Sequence, residues 1–338
     1  MKGSSGTKAC LHCKNVVGKR TRGIEADPYF VTLDVARYSR LDLHTNESLT
    51  QVADLLAVCA STYSSTALGK LEQMLGMNHA LDSCLFDQTL RPHVRPVDCV
   101  LWDWMHVLVA GGLVSHEAAL FVRVLRDGRI SLAALDAFTS QVQGLKGFDS
   151  GRAPADFFQS RFHTSKGADS IKSFAKEMMA VAVTLRFFIE LVLMPQRICE
   201  RHYVCFLHLC RILDLCSIGD AVLQHLDLLR ATIEAHHTLF CELYGAELAF
   251  PKFHYTMHLP QVFQAAQTNI SSFVVERKHR CAKRIANRVF CNFEHTLAHV
   301  YDGLRSIRTR FWVCKRVPFS GKLNHQKWGV RRPPLFPN

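Results

Sequence analysis

Two pairs of residues with metal-binding side chains lie near opposite ends of the sequence. Cys10 and Cys13 are three positions apart, and His254 and His258 are four positions apart. Two cysteines at this spacing can chelate one ion in a tight turn, and histidines at positions i and i+4 of a helix face the same side. Each pair is half of a tetrahedral site, so together they predict a Cys2His2 zinc site.

Each pair also has an explanation that involves no shared metal. The Cys10–Cys13 pair is equally compatible with a redox pair or with incidental cysteines. Because the chain has 18 histidines, two of them at helical spacing can arise by chance. A shared site would join segments about 240 residues apart and would fasten a long helical insertion to the layer from which it departs.

A carboxylate and an imidazole lie three positions apart in the apolar segment around Asp103 and His106. On a helix this spacing places both side chains on one face. A carboxylate among neighbouring tryptophans is costly to bury without a partner. The pair is therefore interpreted either as a hydrogen-bonded Asp–His pair that orders the core, the alternative that the residues favour, or as part of a reactive site.

An acidic residue, Glu276, opens a predicted helix that carries many basic side chains. A carboxylate in the first turn suits the helix dipole, and beside so much positive charge it stays ionised and could hold a divalent cation next to a phosphate. The basic residues could contact a DNA backbone. The alternative is a solvated basic helix with an internal Glu276–Arg280 ion pair. The candidate DNA-binding residues are Arg277, Lys278, Arg280, Lys283, Arg284 and Arg288.

The positive charge of the chain is concentrated in its last fifth. Residues 270–338 contain 15 Lys and Arg against 3 Asp and Glu, a difference equal to the net charge of +12 of the whole chain. The other residues contain 26 of each sign. This distribution predicts a polyanionic partner, most often nucleic acid. A solvated basic tail is the alternative.

The composition predicts a mainly α protein with a packed core. Hydrophobic residues make up 48% of the chain and charged residues 21%. The 13 cysteines are an odd number, and the first ten residues contain no apolar signal segment, so we expect reduced thiols in the nucleus or cytoplasm. The apolar stretch Met178–Met194 contains Arg186 and Glu190, so it predicts a buried helix with one ion pair rather than a membrane span.

The elements that must position these residues are mostly helices. Tyr29–Val35 is a strand candidate, and residues 146–166 are predicted to be a linker. Thr45 or Asn46, Ser115, Ser131 and Pro251 are expected at helix starts, and Gly111-Gly112, Gly219 and Pro260 at helix ends. The predicted helices are residues 46–60, Pro96–Ala110, His116–Arg126, Leu132–Gln143, Ala168–Met194, Gln196–Cys216, Ile218–Tyr244, a short helix from Pro251, Phe273–Val289 and Phe293–Cys314.

Four motifs in this order resemble those of eukaryotic DDE transposases of the CACTA and Plavaka types. Lys8–Cys13 resembles the C-x-x-C that follows the second catalytic aspartate in many such enzymes. Asp103-Trp-Met-His106 resembles the D-x-M-H motif of CACTA transposases. Pro251–Pro260 is similar to their PK-x-H…H block, and Glu276–His279 matches the E-x-K-H block of Plavaka-type proteins. The resemblance covers the chain from about Lys8 to Tyr301.

The resemblance implies a fold, a set of cofactors and a function. It implies an RNase-H-like core with a large helical insertion, structural zinc bound by the Cys and His pairs, catalytic Mg²⁺, DNA as the partner and a nuclear location. Glu276 corresponds to the third catalytic acid, and Asp103 is a weaker catalytic candidate. The implied domains are a core remnant with few strands (1–45), a helical insertion (46–250), the region with the His pair and the basic helices (251–316), and a basic tail (317–338).

The chain departs from the family pattern at its beginning. In the family, two catalytic aspartates precede the C-x-x-C, whereas only nine residues precede Cys10 and none is acidic. We therefore expect a transposase-derived protein that lacks part of the machinery for DNA strand cleavage and transfer. The alternatives are a non-catalytic, zinc-stapled helical DNA-binding protein, and a helical interaction protein without a nucleic-acid role.

Overall fold

The computed structural model describes residues 7–18, 27–143, 153–164 and 170–272. The chain divides into two compact units, Met1–Phe273 and Val274–Asn338, and every described residue belongs to the first. The prediction of a mainly α protein is confirmed. Within the described ranges there are isolated β-bridges but no β-strand. The RNase-H-like core stays a prediction.

Twelve α-helices are present in the described ranges, and two short π-helices, Met105–Val109 and Ile189–Leu193, adjoin some of them. The α-helices are α1 (Asn46–Ala60), α2 (Ser65–Leu75), α3 (Pro96–Cys99), α4 (Leu113–Asp127), α5 (Leu132–Gln143), α6 (Phe157–Thr164), α7 (Ala175–Phe188), α8 (Met194–Gln196), α9 (Glu200–Ser217), α10 (Leu226–Tyr244), α11 (Pro251–Thr256) and α12 (Leu259–Ala266).

Several predicted helix starts are confirmed by their caps. The Thr45 hydroxyl accepts a hydrogen bond from the Ser48 amide, and the Ser48 hydroxyl bonds back to the Thr45 amide, which completes a capping box for α1. Ser131 caps α5 through the Ala134 amide at 3.1 Å. Pro251 opens α11 because its fixed φ suits the first helical turn. These helix starts depend on side chains within a few positions of the cap, so they can be predicted from the sequence.

The predicted strand Tyr29–Val35 is wrong. The segment makes one isolated bridge, between Val31 and Val16. Turns on both sides use the backbone groups that a longer ladder would need, since the Phe30 amide bonds to Asp27 and the Val35 amide bonds to Thr32. The segment has the alternation of apolar residues that is typical of a strand. The turns on either side nevertheless limit its backbone pairing to a single bridge.

The predicted helix Pro96–Ala110 is broken in the structure. Helix α3 ends at Cys99, and residues 100–103 are not helical before the π-helix begins. Asp103 explains the break, because its carboxylate accepts the Met105 amide at 3.1 Å, as a residue that caps a new helix does. The Trp104 amide bonds to the Ile270 carbonyl, 3.3 Å away, instead of to its own helix.

The Gly111-Gly112 turn leads directly into α4, which begins at Leu113, three residues earlier than predicted. A Cβ atom on Gly112 would lie 2.2 Å from the Val107 carbonyl oxygen, so only glycine fits at this position. Gly112 is the N-cap of α4, and Ser115 lies inside the helix. The Ser115 hydroxyl donates to the Val109 carbonyl at 3.3 Å instead of capping.

The predicted linker 146–166 contains a helix, α6. The Asp136 carboxylate of α5 accepts the amides of Phe158 and Gln159 at 2.7 and 3.0 Å, which satisfies the otherwise free donors at the start of α6. Phe157 and Phe158 are fully buried there. The polar composition of this segment predicted a linker, because the helix is stabilised by a side chain about 20 residues earlier in the chain.

The three longest predicted helices are confirmed in kind, but their limits differ. Helix α7 begins at Ala175 rather than Ala168, and the π-helix Ile189–Leu193 separates it from the short α8. Helix α10 is preceded by a 3-10 turn at Gly219–His225, where Gly219 has a φ of 65°. Pro260 lies in the first turn of α12, so it opens a helix rather than closing one.

The main hydrophobic core surrounds α4, which is buried over most of its length. Helices α7, α9, α10, α11 and α12 contribute to the same core. Phe121 of α4 stacks on Phe206 of α9 with ring centroids 5.3 Å apart. Two smaller clusters lie under the N-terminal segment and between α1 and α2. The packing of this core determines the positions of the helices that carry the candidate functional residues.

Two helical stretches in the described ranges are long and apolar enough to cross a membrane by length and composition alone: Met105–Asp127 and Ala175–Gln196. The first is mostly buried inside the protein and the second is half buried, so this is weak evidence for a span. The predicted ion pair in the second stretch is confirmed, because Arg186 Nε lies 2.9 Å from Glu190 Oε1. Arg186 also contacts Asp214 of α9 at 2.7 Å.

Candidate metal centre

The first two candidate ligands lie in a turn of the N-terminal segment. An antiparallel bridge between Lys8 and Val17 closes a hairpin, and Cys10 and Cys13 lie in the turn between them. A second bridge joins Cys13 to Leu43, on the segment that leads into α1. Both thiols are buried. Backbone pairing on two sides therefore fixes where the two sulfur atoms point.

The other two candidate ligands lie where α11 meets α12. His254 is in α11, and His258 is the N-cap of α12 after a short turn at residues 257–258. The helix predicted to carry both histidines is thus interrupted, but the four-residue spacing still brings the rings together, 4.8 Å apart at their centroids. Both side chains are fully buried.

The four side chains converge on one point, with their ligand atoms all within 4.8 Å of one another. The sulfur–nitrogen distances are 3.2 Å for Cys10–His258, 3.4 Å for Cys13–His258 and 3.5 Å for Cys13–His254. Bond lengths of about 2.3 Å to sulfur and 2.0 Å to nitrogen give a tetrahedral edge of roughly 3.5 Å. The cluster therefore has the dimensions of a site that could hold a metal such as zinc.

The electrostatics of the cluster suit a cation. Burial raises the pKa of Cys10, but a hydrogen bond from Cys13 and the fields of His258 and His254 outweigh it, so the pKa lies well below its ordinary value. The same hydrogen bond and burial raise the pKa of Cys13. Burial lowers the pKa of His258, which keeps its imidazole neutral and able to ligate.

Aromatic side chains enclose the cluster. The His12 ring stacks on His258 with centroids 5.1 Å apart, and His12 Nε2 donates to the Val100 carbonyl. Trp102 stacks on Tyr255 at 3.9 Å, and the Tyr255 hydroxyl donates to the Ala9 carbonyl at 2.8 Å. These contacts join the hairpin, the segment after α3 and α11 around the four ligands. The enclosure indicates a structural site rather than one open to a substrate.

Asp103 and His106 form the hydrogen-bonded pair that the sequence favoured. Asp103 Oδ2 accepts from His106 Nδ1 and from the Ser272 hydroxyl. Asp103 Oδ1 accepts the amides of Met105 and Ser272 at 3.1 and 3.0 Å. Both oxygens of the carboxylate are therefore engaged, and the pair links the start of the π-helix to the end of the described chain.

The pKa of Asp103 reflects these partners. Burial acts to raise it, but the hydrogen bonds from Ser272, His106 and Met105 together lower it below its ordinary value of 3.8. The carboxylate is thus ionised and held by fixed donors. This arrangement favours a structural role for Asp103 over a catalytic one.

The remaining predicted site residues lie outside the described residues. These are the candidate acid Glu276 and the candidate DNA-binding residues Arg277, Lys278, Arg280, Lys283, Arg284 and Arg288. Two participants were missed by the sequence analysis, Ser272 beside Asp103 and His12 beside His258. His12 could have been noticed because it lies between the two cysteines. Nothing in the sequence around Ser272 marks it.

Comparisons with protein-family models, with curated proteins and with solved structures give no match for this chain.

We expect Asp103→Asn to destabilise the protein by about 2 kcal/mol at neutral pH, because an amide nitrogen would face the donors that now bond to the carboxylate. The folded-state pKa is depressed, so the stabilisation is present above the unfolded pKa near 3.9 and is lost as pH falls through the lower folded value. Urea unfolding at neutral pH and at about pH 3 measures this difference.

Asp82→Asn, an exposed position in a turn, is the control and should change stability by less than about 0.5 kcal/mol. A difference between wild type and Asp103→Asn that is equally large at both pH values would contradict an electrostatic role for the carboxylate.

Proposed function

We propose that this protein is a transposase-derived DNA-binding protein in which a zinc ion fastens the N-terminal hairpin to α11. The observation that carries the proposal is the convergence of Cys10, Cys13, His254 and His258. Two thiolates and two imidazoles in a closed tetrahedral arrangement are the ligand set that zinc prefers at structural sites.

The convergence supports the resemblance to DDE transposases as well as the zinc site. Cys10 and His258 are separated by 248 residues, and no local pattern requires them to meet. The resemblance implies that these four residues ligate one zinc ion, with a helical insertion between the two pairs. The meeting of the two pairs is therefore what the resemblance leads us to expect.

The physical role of the zinc ion is to stabilise a long-range connection. Besides the four candidate ligands, the Tyr255 hydroxyl of α11 holds the hairpin by donating to the Ala9 carbonyl. Because the four ligands come together only in the folded chain, the free energy of zinc binding contributes directly to folding.

DNA is the proposed partner because of the charge distribution. The excess of positive charge in residues 270–338 follows directly after α12, in the part of the chain that carries Glu276 and the basic candidate residues. Such a segment binds phosphates with little sequence preference and gives a salt-dependent affinity. A DNA-binding protein of this kind acts in the nucleus.

DNA strand cleavage and transfer is the proposed activity of the intact family form, with Glu276 as one ligand of Mg²⁺. Glu276 would help to hold the ion, which would supply the activation of water and then of a 3′-hydroxyl for attack on a phosphodiester bond. The geometry of Asp103 favours the second candidate, a non-catalytic zinc-stapled DNA-binding protein. A carboxylate whose two oxygens already accept four hydrogen bonds is poorly suited to hold a catalytic cation.

We expect Cys13→Ser or His258→Ala to remove one zinc ion per chain and to lower the thermal midpoint, because the remaining ligands cannot complete the tetrahedral site. Elemental analysis of the purified protein with a calibrated protein concentration measures the loss. Cys59→Ser, a buried thiol of α1 outside the cluster, is the matched control and should leave the zinc content unchanged. If Cys13→Ser contains as much zinc as the wild type, Cys13 does not bind zinc and the proposed site is wrong.

We expect a variant with Arg277, Lys278, Arg280, Lys283 and Arg284 all replaced by glutamine to bind duplex DNA more weakly. Each lost phosphate contact should reduce the slope of log affinity against log salt by about 0.9. Fluorescence anisotropy at several salt concentrations measures both quantities.

The control for this experiment removes five exposed charges from the first unit, at Lys70, Arg95, Arg126, Lys172 and Lys176. This control variant should retain most of the affinity and the slope. If both variants bind DNA equally well, the basic segment is not the DNA-binding region.

If the protein nicks supercoiled plasmid in the presence of Mg²⁺, we expect Glu276→Gln to abolish the nicking, because a neutral amide is a poor ligand for this ion. Glu294→Gln, a nearby acid in the same basic region, is the control and should keep the activity. Full activity of Glu276→Gln would exclude Glu276 from the site. Salt-dependent DNA binding by the wild type without any Mg²⁺-dependent nicking would favour the non-catalytic candidate.

A further inference from the structure

A second group of metal-binding side chains lies in the centre of the helical core. Glu117 of α4, Cys205 of α9 and His236 of α10 place their ligand atoms within 4.8 Å of one another. All three residues are completely buried. The proposed function uses none of them.

The hydrogen bonds of the neighbouring residue His237 determine the proton positions in this group. His237 Nε2 lies 2.8 Å from the Phe253 carbonyl oxygen, which can only accept, and 2.8 Å from the Thr256 hydroxyl, which donates to that same carbonyl, so Nε2 carries a proton. With that proton on Nε2, the lone pair of the neutral His237 ring is on Nδ1. The Nδ1 atom of His237 is therefore an acceptor.

His236 must donate to this acceptor. The two Nδ1 atoms of His236 and His237 are 3.0 Å apart, and since His237 accepts, the proton belongs to His236 Nδ1. A neutral His236 then has a lone pair on Nε2. Histidines that bind metals are commonly held in this way, with one ring nitrogen donating to a fixed acceptor and the other directed at the ion.

The lone pair of His236 faces a carboxylate. His236 Nε2 lies 2.6 Å from Glu117 Oε2, and the side chains of both residues are fully buried. A lone pair and an anion at this distance repel each other, so a positive species must lie between them. Glu117 Oε1 also has no hydrogen-bond partner among the described residues, which is costly for a buried carboxylate oxygen.

A single proton between His236 and Glu117 would account for their short contact, but it would leave Glu117 Oε1 without a geometric hydrogen bond among the described residues, and Cys205 with only a long contact to the His236 carbonyl, 4.0 Å away. A divalent cation would account for all three groups. We propose that Glu117, Cys205 and His236 bind a second, structural zinc ion at the junction of α4, α9 and α10.

The chemistry of the donor set favours zinc over other biological cations. One thiolate, one imidazole and one carboxylate are all ligands that zinc accepts, whereas Mg²⁺ and Ca²⁺ prefer oxygen ligands alone. Zinc sites with three protein ligands are completed by water, and a carboxylate with a free second oxygen can also adjust to the ion. Complete burial makes the site structural.

The ligand atoms must move slightly apart to accept the ion. Two ligand atoms at about 2.1 Å from zinc are separated by roughly 3.4 Å in a tetrahedral site, against 2.6 Å between His236 and Glu117. The nitrogen atoms of His254 and His258 in the first cluster are likewise closer than this, at 3.0 Å. Since Glu117 Oε1 makes no hydrogen bond to another described residue, rotation of this carboxylate breaks no other contact.

Zinc counting by elemental analysis tests the proposal on the full-length chain. The wild type should contain two zinc ions per chain, Glu117→Gln and Cys205→Ser one, and Cys13→Ser one. The double variant Cys13→Ser/Cys205→Ser should contain none. Cys216→Ser is the matched control, because Cys216 is a completely buried thiol of the same helix α9 and should leave both ions in place.

Two results would overturn the second site. One is a wild type with a single zinc that Cys13→Ser removes, and the other is Cys205→Ser with both ions retained. In either case a proton lies between His236 and Glu117, while the first zinc site is unaffected. A wild type with one zinc that Cys205→Ser removes would instead support the second site and count against the first.

Cobalt titration of the wild type gives an answer even if a core variant does not fold. Cys205 bound to Co²⁺ should add thiolate-to-cobalt absorption beyond the first equivalent, until two equivalents are bound. Absorption that saturates at one equivalent would overturn the proposal.

Discussion

The enclosure of four metal-binding side chains between the N-terminal hairpin and α11 is the constraint on which the arrangement of this protein depends. Cys10, Cys13, His254 and His258 are buried together, and buried polar groups of this kind are stable only when they satisfy one another or share an ion. Stacked rings around the four side chains, such as His12 on His258, hold the neighbouring segments in fixed positions relative to the cluster. The hairpin has a defined position on the helical core because these groups must meet.

Buried or half-buried carboxylates organise the rest of the helical unit in a similar way. Asp136 supplies the acceptors that start α6, and Asp103 ends one helical segment and starts the next. Glu117 lies against His236 at the centre of the core. Asp136 and Asp103 are tolerated in the interior because each accepts donors from a second element, and Glu117 faces a histidine of a second helix. These acids therefore determine where helices begin and which helices lie together.

The candidate site was predictable to the extent that its chemistry is local in sequence. The C-x-x-C and the paired histidines could each be recognised by spacing, and as two half-sites they predicted one Cys2His2 site. The second cluster could not be recognised, because Glu117, Cys205 and His236 lie on three helices with no shared spacing. Only His236 carried a signal, as half of an adjacent histidine pair in an apolar helix.

The sequence alone determined the helical class, the caps of α1 and α5, and the residue types of the metal centre, since these depend on neighbours a few positions away. The break at Asp103, the helix within the predicted linker and the lost strand at Val31 were decided by tertiary structure. Each depends on a hydrogen bond whose partner is distant in sequence, such as the Trp104 amide to Ile270, or on which backbone donors a neighbouring turn has already used. The spacing of residues along the chain shows which contacts are possible for each side chain. The packing of the folded chain determines which of these contacts form.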